Sequence, residues 1–203
     1  MTDLLIALCT VFLVVMGGKA FIAWPAYRGS VYQQLFGSFL EYYWKYTVNQ
    51  DLSRSGYLDS ELGPHRLLYN AYRDANGREA NQFVTVLTTH GAATVCAVHT
   101  SGAVNGGDTG AWHIERDSAR YTLTSSLIYV RRQQKFLAKA LGKARVSCAI
   151  VFDDGADLSG VSCSCPTMHV GELVAWLKGL DEPISEQDVT SAFEAIKAQM
   201  TRN

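Results

Sequence analysis

Between Leu4 and Trp24 the chain carries a single charged side chain, Lys19, and this run constrains its folding more than any other feature. Its twenty-one residues match the ~20 that an α-helix needs to cross a bilayer. Leu4 and Phe12 lie in the apolar body. Lys19 stands close enough to the end to snorkel to headgroups, and Trp24 and Tyr27 suit the interface beyond it. The rival reading is a cleaved signal peptide with Gly18-Lys19-Ala20 as its cutting site. The leader Met1-Thr2-Asp3, however, has no basic residue where such peptides carry one. Asp3 precedes the run, while Lys19 follows its longest uninterrupted apolar part and Arg28 and Lys45 lie beyond it. The positive-inside rule therefore predicts a single-pass protein with its C-terminal bulk in the cytoplasm.

The rest has the composition of one folded domain. The chain of 203 residues is 48% hydrophobic and 18% charged, enough apolar material for a core and too much for a disordered tail. A net charge of −1 excludes a globally basic nucleic-acid binder and leaves only a local basic face for that role. Cys96, Cys148, Cys163 and Cys165 have no spacing of a secreted disulfide framework and read as reduced, buried side chains.

Periodicity predicts an amphipathic helix over 30–50 and a polar stretch over 51–64. Strands follow at 65–72, 83–88 and 94–100, with a turn at Asp74-Ala75-Asn76-Gly77. A glycine-rich loop, Gly102 to Gly110, leads to short strands at 112–114 and 121–123. Then come a helix to Leu141 stopped by Gly142, strands at 145–152 and 161–165, and helices at 172–180 and 186–200. The order predicts an α/β (α+β) fold with a mixed central sheet flanked by helices. The expected organisation is an anchor over 1–27, a domain over 28–182 and a C-terminal helix over 183–203, packed through Val189, Phe193 and Ile196.

Several segments in succession resemble the nuclease-related domain, a branch of the restriction-endonuclease-like superfamily. They are Gly37-Ser38-Phe39-Leu40-Glu41, the strand Leu67 to Tyr72, Ala80-Asn81-Gln82, and Ala97-Val98-His99-Thr100-Ser101. Gly106, Trp112, Ser125-Ser126-Leu127 and Ala149-Ile150-Val151-Phe152 continue the series. The resemblance implies a restriction-endonuclease-like fold. It also implies a site in which an Asp and a Glu hold a divalent cation while a lysine helps activate water. At those positions this chain has Asn81, His99 and Ser101, and Tyr129 replaces the helix glutamine; Glu41 alone keeps its acid. From Gln82 to Thr100 there is no Asp, Glu, Lys or Arg. The resemblance thus points to a degenerate domain, with no catalytic residue, no metal and no cofactor. A nuclease with displaced ligands, Glu41 with Asp108 or Glu115, is the alternative.

Other groupings are weaker. Cys163, Cys165 and His169, with Cys148, lack the paired spacing of a zinc site and suit core packing. His99 with Ser101 lacks the nucleophile elbow of a hydrolase, and nothing in the sequence supplies an orienting carboxylate. Asp108, Glu115 and Asp117 read as solvated loop charges. The Gly102–Gly110 loop matches no phosphate-binding pattern. Arg131, Arg132, Lys135, Lys139, Lys143 and Arg145 form a basic run whose helical stripe could face phosphate or anionic headgroups. Size, the apolar N-terminus and the exit Trp24-Pro25-Ala26-Tyr27-Arg28 also resemble plasmid entry-exclusion proteins of IncI-type conjugation systems. That likeness implies a bacterial inner-membrane protein that blocks redundant DNA transfer by recognising a component of the incoming mating apparatus. A membrane-proximal DNA-binding module is a further alternative.

Overall fold

In the computed structural model, which describes residues 2–73, 79–123, 126–142 and 145–200, two mixed sheets are flanked by helices. The apolar run forms one helix, α1 (Thr2–Tyr27), long and apolar enough to cross a membrane. The expected helix over 30–50 is broken in two. Val31–Phe36 (α2) stops at Gly37, whose φ of +65° suits glycine and whose missing side chain admits the Tyr57 ring. Ser38 then caps a fresh helix, Phe39–Tyr43 (α3), which runs on into a π-helical turn, Trp44–Asn49. The polar stretch after it also holds a helix, α4 (Gly56–Leu62), capped by Ser55.

His65–Arg73 (β1), Glu79–Thr88 (β2) and Gly91–Val98 (β3) form an antiparallel meander. The turn at Asp74–Gly77 that joins the first two, and Ser125 and Lys143, lie outside the described residues. Gly102–Gly107 is a strand, β4, where a loop was expected. With β5 (Trp112–Arg116) and β6 (Ala119–Leu123) it starts a second sheet. Helix α5 (Ser126–Ala140) returns the chain to the first sheet, where β7 (Val146–Phe152) lies parallel to β3. The strand expected at 161–165 is displaced. Ala156–Ser162 (β8) pairs with β4, and Thr167–His169 (β9) pairs with β7. The expected single central sheet is therefore two, ordered β1-β2-β3-β7-β9 and β6-β5-β4-β8. Helices α6 (Leu173–Lys178) and α7 (Glu186–Met200) complete the chain.

Alternation along the first sheet sorts the core into two faces. Leu67, Val84, Val86, Val95, Ala149 and Val151 point to one side, under α2, α3, α4, α6 and the last turns of α1. Leu68, Leu87, Cys96, Ile150 and Phe152 point to the other, under α5, α7 and the second sheet. Val189, Phe193 and Ile196 are buried there, as their spacing predicted. On the first side Ala23 and Tyr27 are buried and Met16 and Ala20 pack beside them, so one stripe of α1 belongs to the core.

Candidate functional site

The residues to which the resemblance assigns a site divide between two places. Asn81 occupies β2 opposite Tyr72, and His99 and Ser101 follow the end of β3, so these three share one end of the first sheet. There β3 and β7 run parallel, and Val98 and Phe152 stand side by side. The next residue on each strand completes an ion pair: His99 Nδ1 donates to Asp153 Oδ1 at 3.2 Å. The orienting carboxylate that the sequence did not reveal is thus Asp153. Its hydrogen bond raises the His99 pKa above the ordinary imidazole value, against a smaller lowering by burial. Both side chains are substantially exposed. Beside them Asp154 accepts the Gly171 N–H, and Ser101 lies against Gly155 in the same turn.

Glu41 is elsewhere, in the first turn of α3, where its own N–H is capped by Ser38. Its carboxylate accepts the N–H of Gly56 at 2.5 Å. That N–H is one of the first of α4 and has no partner within its helix. Glu41 therefore ties α3 to α4 and places a negative charge at the positive end of a helix. The same region holds a polar residue that sequence reasoning read only as the start of a strand. His65 is fully buried, and its Nε2 accepts the Ser55 N–H at 3.0 Å. The remaining ring N–H faces the Gly63 carbonyl and Asp59. Burial lowers the His65 pKa, and the neutral ring is the form that can accept from Ser55. Glu41→Ala is expected to lower stability by about 1 kcal/mol, the typical worth of a helix cap. In thermal unfolding that is a drop of about 2–4 °C for a chain of this size. A carboxylate held in reserve for a cation would behave oppositely, its removal leaving stability unchanged or raised.

The acidic residues offered as displaced ligands do not gather around Glu41. Asp108 accepts both the N–H and the hydroxyl of Ser164, at 2.7 and 2.8 Å. Those bonds hold its carboxyl below the ordinary range. Glu115 is on β5, and Asp117 closes the β5–β6 turn at a φ of +51°. Tyr129 lies on α5, partly buried beside the second core. Among the described residues, no three His, Cys, Asp or Glu side chains converge as a metal-binding group.

The cysteines do come together. Cys148 Sγ on β7 is 3.4 Å from Cys165 Sγ, and Cys163 Sγ donates to the Cys165 carbonyl at 2.9 Å. Cys163 and Cys165 follow β8 in irregular chain, not in the strand expected at 161–165. His169 turns away to donate Nε2–H to the Ala156 carbonyl at 2.8 Å. The hydrogen bond from Cys165 lowers the Cys148 pKa to about 7, and the pairing raises that of Cys165.

The basic run is split by the fold. Arg131, Arg132, Lys135 and Lys139 lie exposed on α5, with Arg131 donating to Ser164 at 2.6 Å. Arg145 is matched instead by Glu182, which takes both its backbone N–H and its guanidinium. Helix α5 lies on the face of the first sheet opposite α1. The stripe and the packed part of α1 thus belong to opposite sides of the first sheet. A groove of about 720 Å³ opens on the other side, between α1 and the π-helical turn. It is lined by Lys19, Ala23, Tyr42, Tyr46 and Gln50.

No family model, curated protein or solved structure matches the chain.

Proposed function

We propose that the protein is a non-enzymatic recognition protein anchored in the bacterial inner membrane, its nuclease-like domain turned to binding on the cytoplasmic side. We place it in plasmid entry exclusion, where it would block redundant conjugative transfer by recognising a component of the incoming mating apparatus. Connectivity supports the nuclease-like reading: helices, the β1-β2-β3 meander, α5, then β7 parallel to β3, in the order that the resemblance implies. Helix α1, with Lys19 and the Trp24 exit after its apolar body, supports the anchor.

One observation carries the non-enzymatic reading, the use made of Glu41. The last carboxylate of the implied catalytic set is committed to the N-terminus of α4, and the sheet end meant for a dication holds a histidine paired with Asp153. A histidine–carboxylate pair offers a hard cation at most one negative charge, already shared with the ring N–H. A protein partner, by contrast, can read such a pair as part of a shaped polar surface.

Expressed alone in a recipient, the protein is expected to lower transfer from a donor of the matching plasmid type, counted as transconjugants per donor. Unchanged transfer would remove this function. Plasmid DNA incubated with the detergent-solubilised full chain and Mg²⁺ or Mn²⁺ is expected to stay intact. Cleavage that disappears in Glu41→Ala would favour the nuclease instead. The α5 stripe favours a second reading, a DNA-binding module, whose signature is binding that weakens steeply as salt rises.

A further inference from the structure

Helix α1 cannot cross a membrane while the domain stays in water. One stripe of its C-terminal half, Met16, Ala20, Ala23 and Tyr27, packs on the domain. Among the described side chains only those of Leu4 to Val15 stand wholly clear, about 12 residues or about 18 Å at 1.5 Å per residue. The hydrocarbon core is ~30 Å thick. To span it from Leu4, the helix must lie in lipid to about Ala23, and whatever packs on residues 16–23 goes with it.

What packs there is α3. Phe39 meets Trp24 edge-on at 4.9 Å and Tyr27 at 5.5 Å. One turn later the Tyr43 hydroxyl donates to the Met16 carbonyl at 2.7 Å. Helix α3 therefore runs back along α1 toward its N-terminal half. Its other side and the π-helical turn present Leu40, Trp44 and Val48, every fourth residue, at 73%, 52% and 43% exposure. Phe21 and Ile22 are exposed on α1 as well. Rings of Trp24, Tyr27, Tyr42 and Tyr46 crowd together by the end of α1, the composition of a membrane–water interface.

We infer that the exposed face of residues 39–49 is a second membrane contact, inserting Leu40, Trp44 and Val48 into the bilayer beside α1 and seating the domain on the lipid surface. This rests on the reading of α1 as an anchor. The occupant is lipid because this face continues the surface of a helix that must itself be in lipid. Lys19, at the mouth of the groove, reaches the headgroup layer from the same level. With residues 39–49 held in the interface, the domain cannot swing freely on a tether, and α5 with its basic stripe is held toward the water.

The test uses the full-length chain reconstituted in phosphatidylethanolamine–phosphatidylglycerol vesicles whose acyl chains carry bromine, a contact quencher of tryptophan. Emission attributable to Trp44 is the difference between the wild type and Trp44→Phe, a conservative change at an exposed site. Most of that emission is expected to be lost in brominated vesicles relative to unbrominated ones. Trp112, buried between the sheets, supplies an internal reference that keeps its emission. Alkaline extraction of the same vesicles separates the two readings. A chain washed off by alkali removes the anchor and this contact together. A chain that resists alkali but keeps its Trp44 emission overturns the contact alone. So does cross-linking between copies through Leu40→Cys with Trp44 unquenched, which would make the face a dimer surface.

Discussion

A chain beginning at residue 28 is expected to aggregate, whereas one beginning at residue 16 is expected to fold in detergent as the full chain does. The cut at 28 removes Tyr27 and Ala23, buried to 4% and 7% exposure, together with Met16 and Ala20 beside them. It bares the faces of Val31, Phe39, Tyr42 and Tyr43 that those residues cover, and it deprives the Tyr43 hydroxyl of its acceptor. A large side chain taken from core to water costs about 1.5–3 kcal/mol. Losing Tyr27 and uncovering its neighbours therefore removes on the order of 5 kcal/mol, against a total stability of roughly 5–15 kcal/mol. Four aromatic and aliphatic side chains newly exposed on one face also form a sticky patch. The cut at 16 keeps the packed stripe and discards only the part of α1 that touches nothing in the domain. Size-exclusion chromatography with near-ultraviolet circular dichroism distinguishes the two. A monomeric 28–203 fragment with native tertiary signal would show that the stripe adds little to the fold.

The parts of the fold legible in the sequence are those whose apolar content matches their burial. β2, β3 and β7 are apolar runs buried on both faces, α5 and α7 bury residues at helical spacing, and these and β1 were expected close to where they lie. β4 and β8 carry no such signal. Gly102–Gly107 is half glycine, and Ala156–Ser162 exposes Asp157, Ser159 and Gly160. β8 is a strand because β4 is beside it, a parallel pairing between segments about fifty residues apart that local propensity does not encode, and β4 is held between β8 and β5. The break at Gly37 was written in the Gly-Ser dipeptide, a helix stop followed by a cap, but the run of aromatics across it masks the signal.

The site shows the same division. That Asn81, His99 and Ser101 share one sheet end followed from strand order alone. That Asp153 would reach His99 did not, because the pairing spans 54 residues and depends on the parallel register of β3 and β7. Glu41 was noticed for its charge, while its task depends on Gly56, fifteen residues on, in a segment with no apolar period. The cysteine cluster followed the same course. The composition indicated buried thiols, and only the fold brought Cys148 within 3.4 Å of Cys165.

Trp112→Ala is expected to be the most damaging single substitution in the second sheet, costing about 3–5 kcal/mol as the loss of a fully buried aromatic does. Trp112 has no exposed surface and stacks on Phe152 of the first sheet, with ring centroids 5.9 Å apart and planes within 8°. Its Nε1–H donates to the Gly107 carbonyl at 2.8 Å, turning the ring down onto β4. The glycine at 106 makes this possible, since a Cβ there would stand 2.3 Å from the ring. The tryptophan thus joins strand to strand and sheet to sheet within this core. Trp112→Phe keeps a ring against Phe152 and loses the hydrogen bond, so most of the stability is expected to return. Gly106→Ala is expected to destabilise by about 1–3 kcal/mol through overpacking, although it adds only a methyl group. In hydrogen exchange the amides of β4, β5 and β6 should lose protection in Trp112→Ala before those of β1 to β3, because the second sheet is fastened to the first through this ring. Equal loss in both sheets would mean that they unfold as one unit. An unchanged unfolding midpoint would mean that the ring does not carry the junction at all.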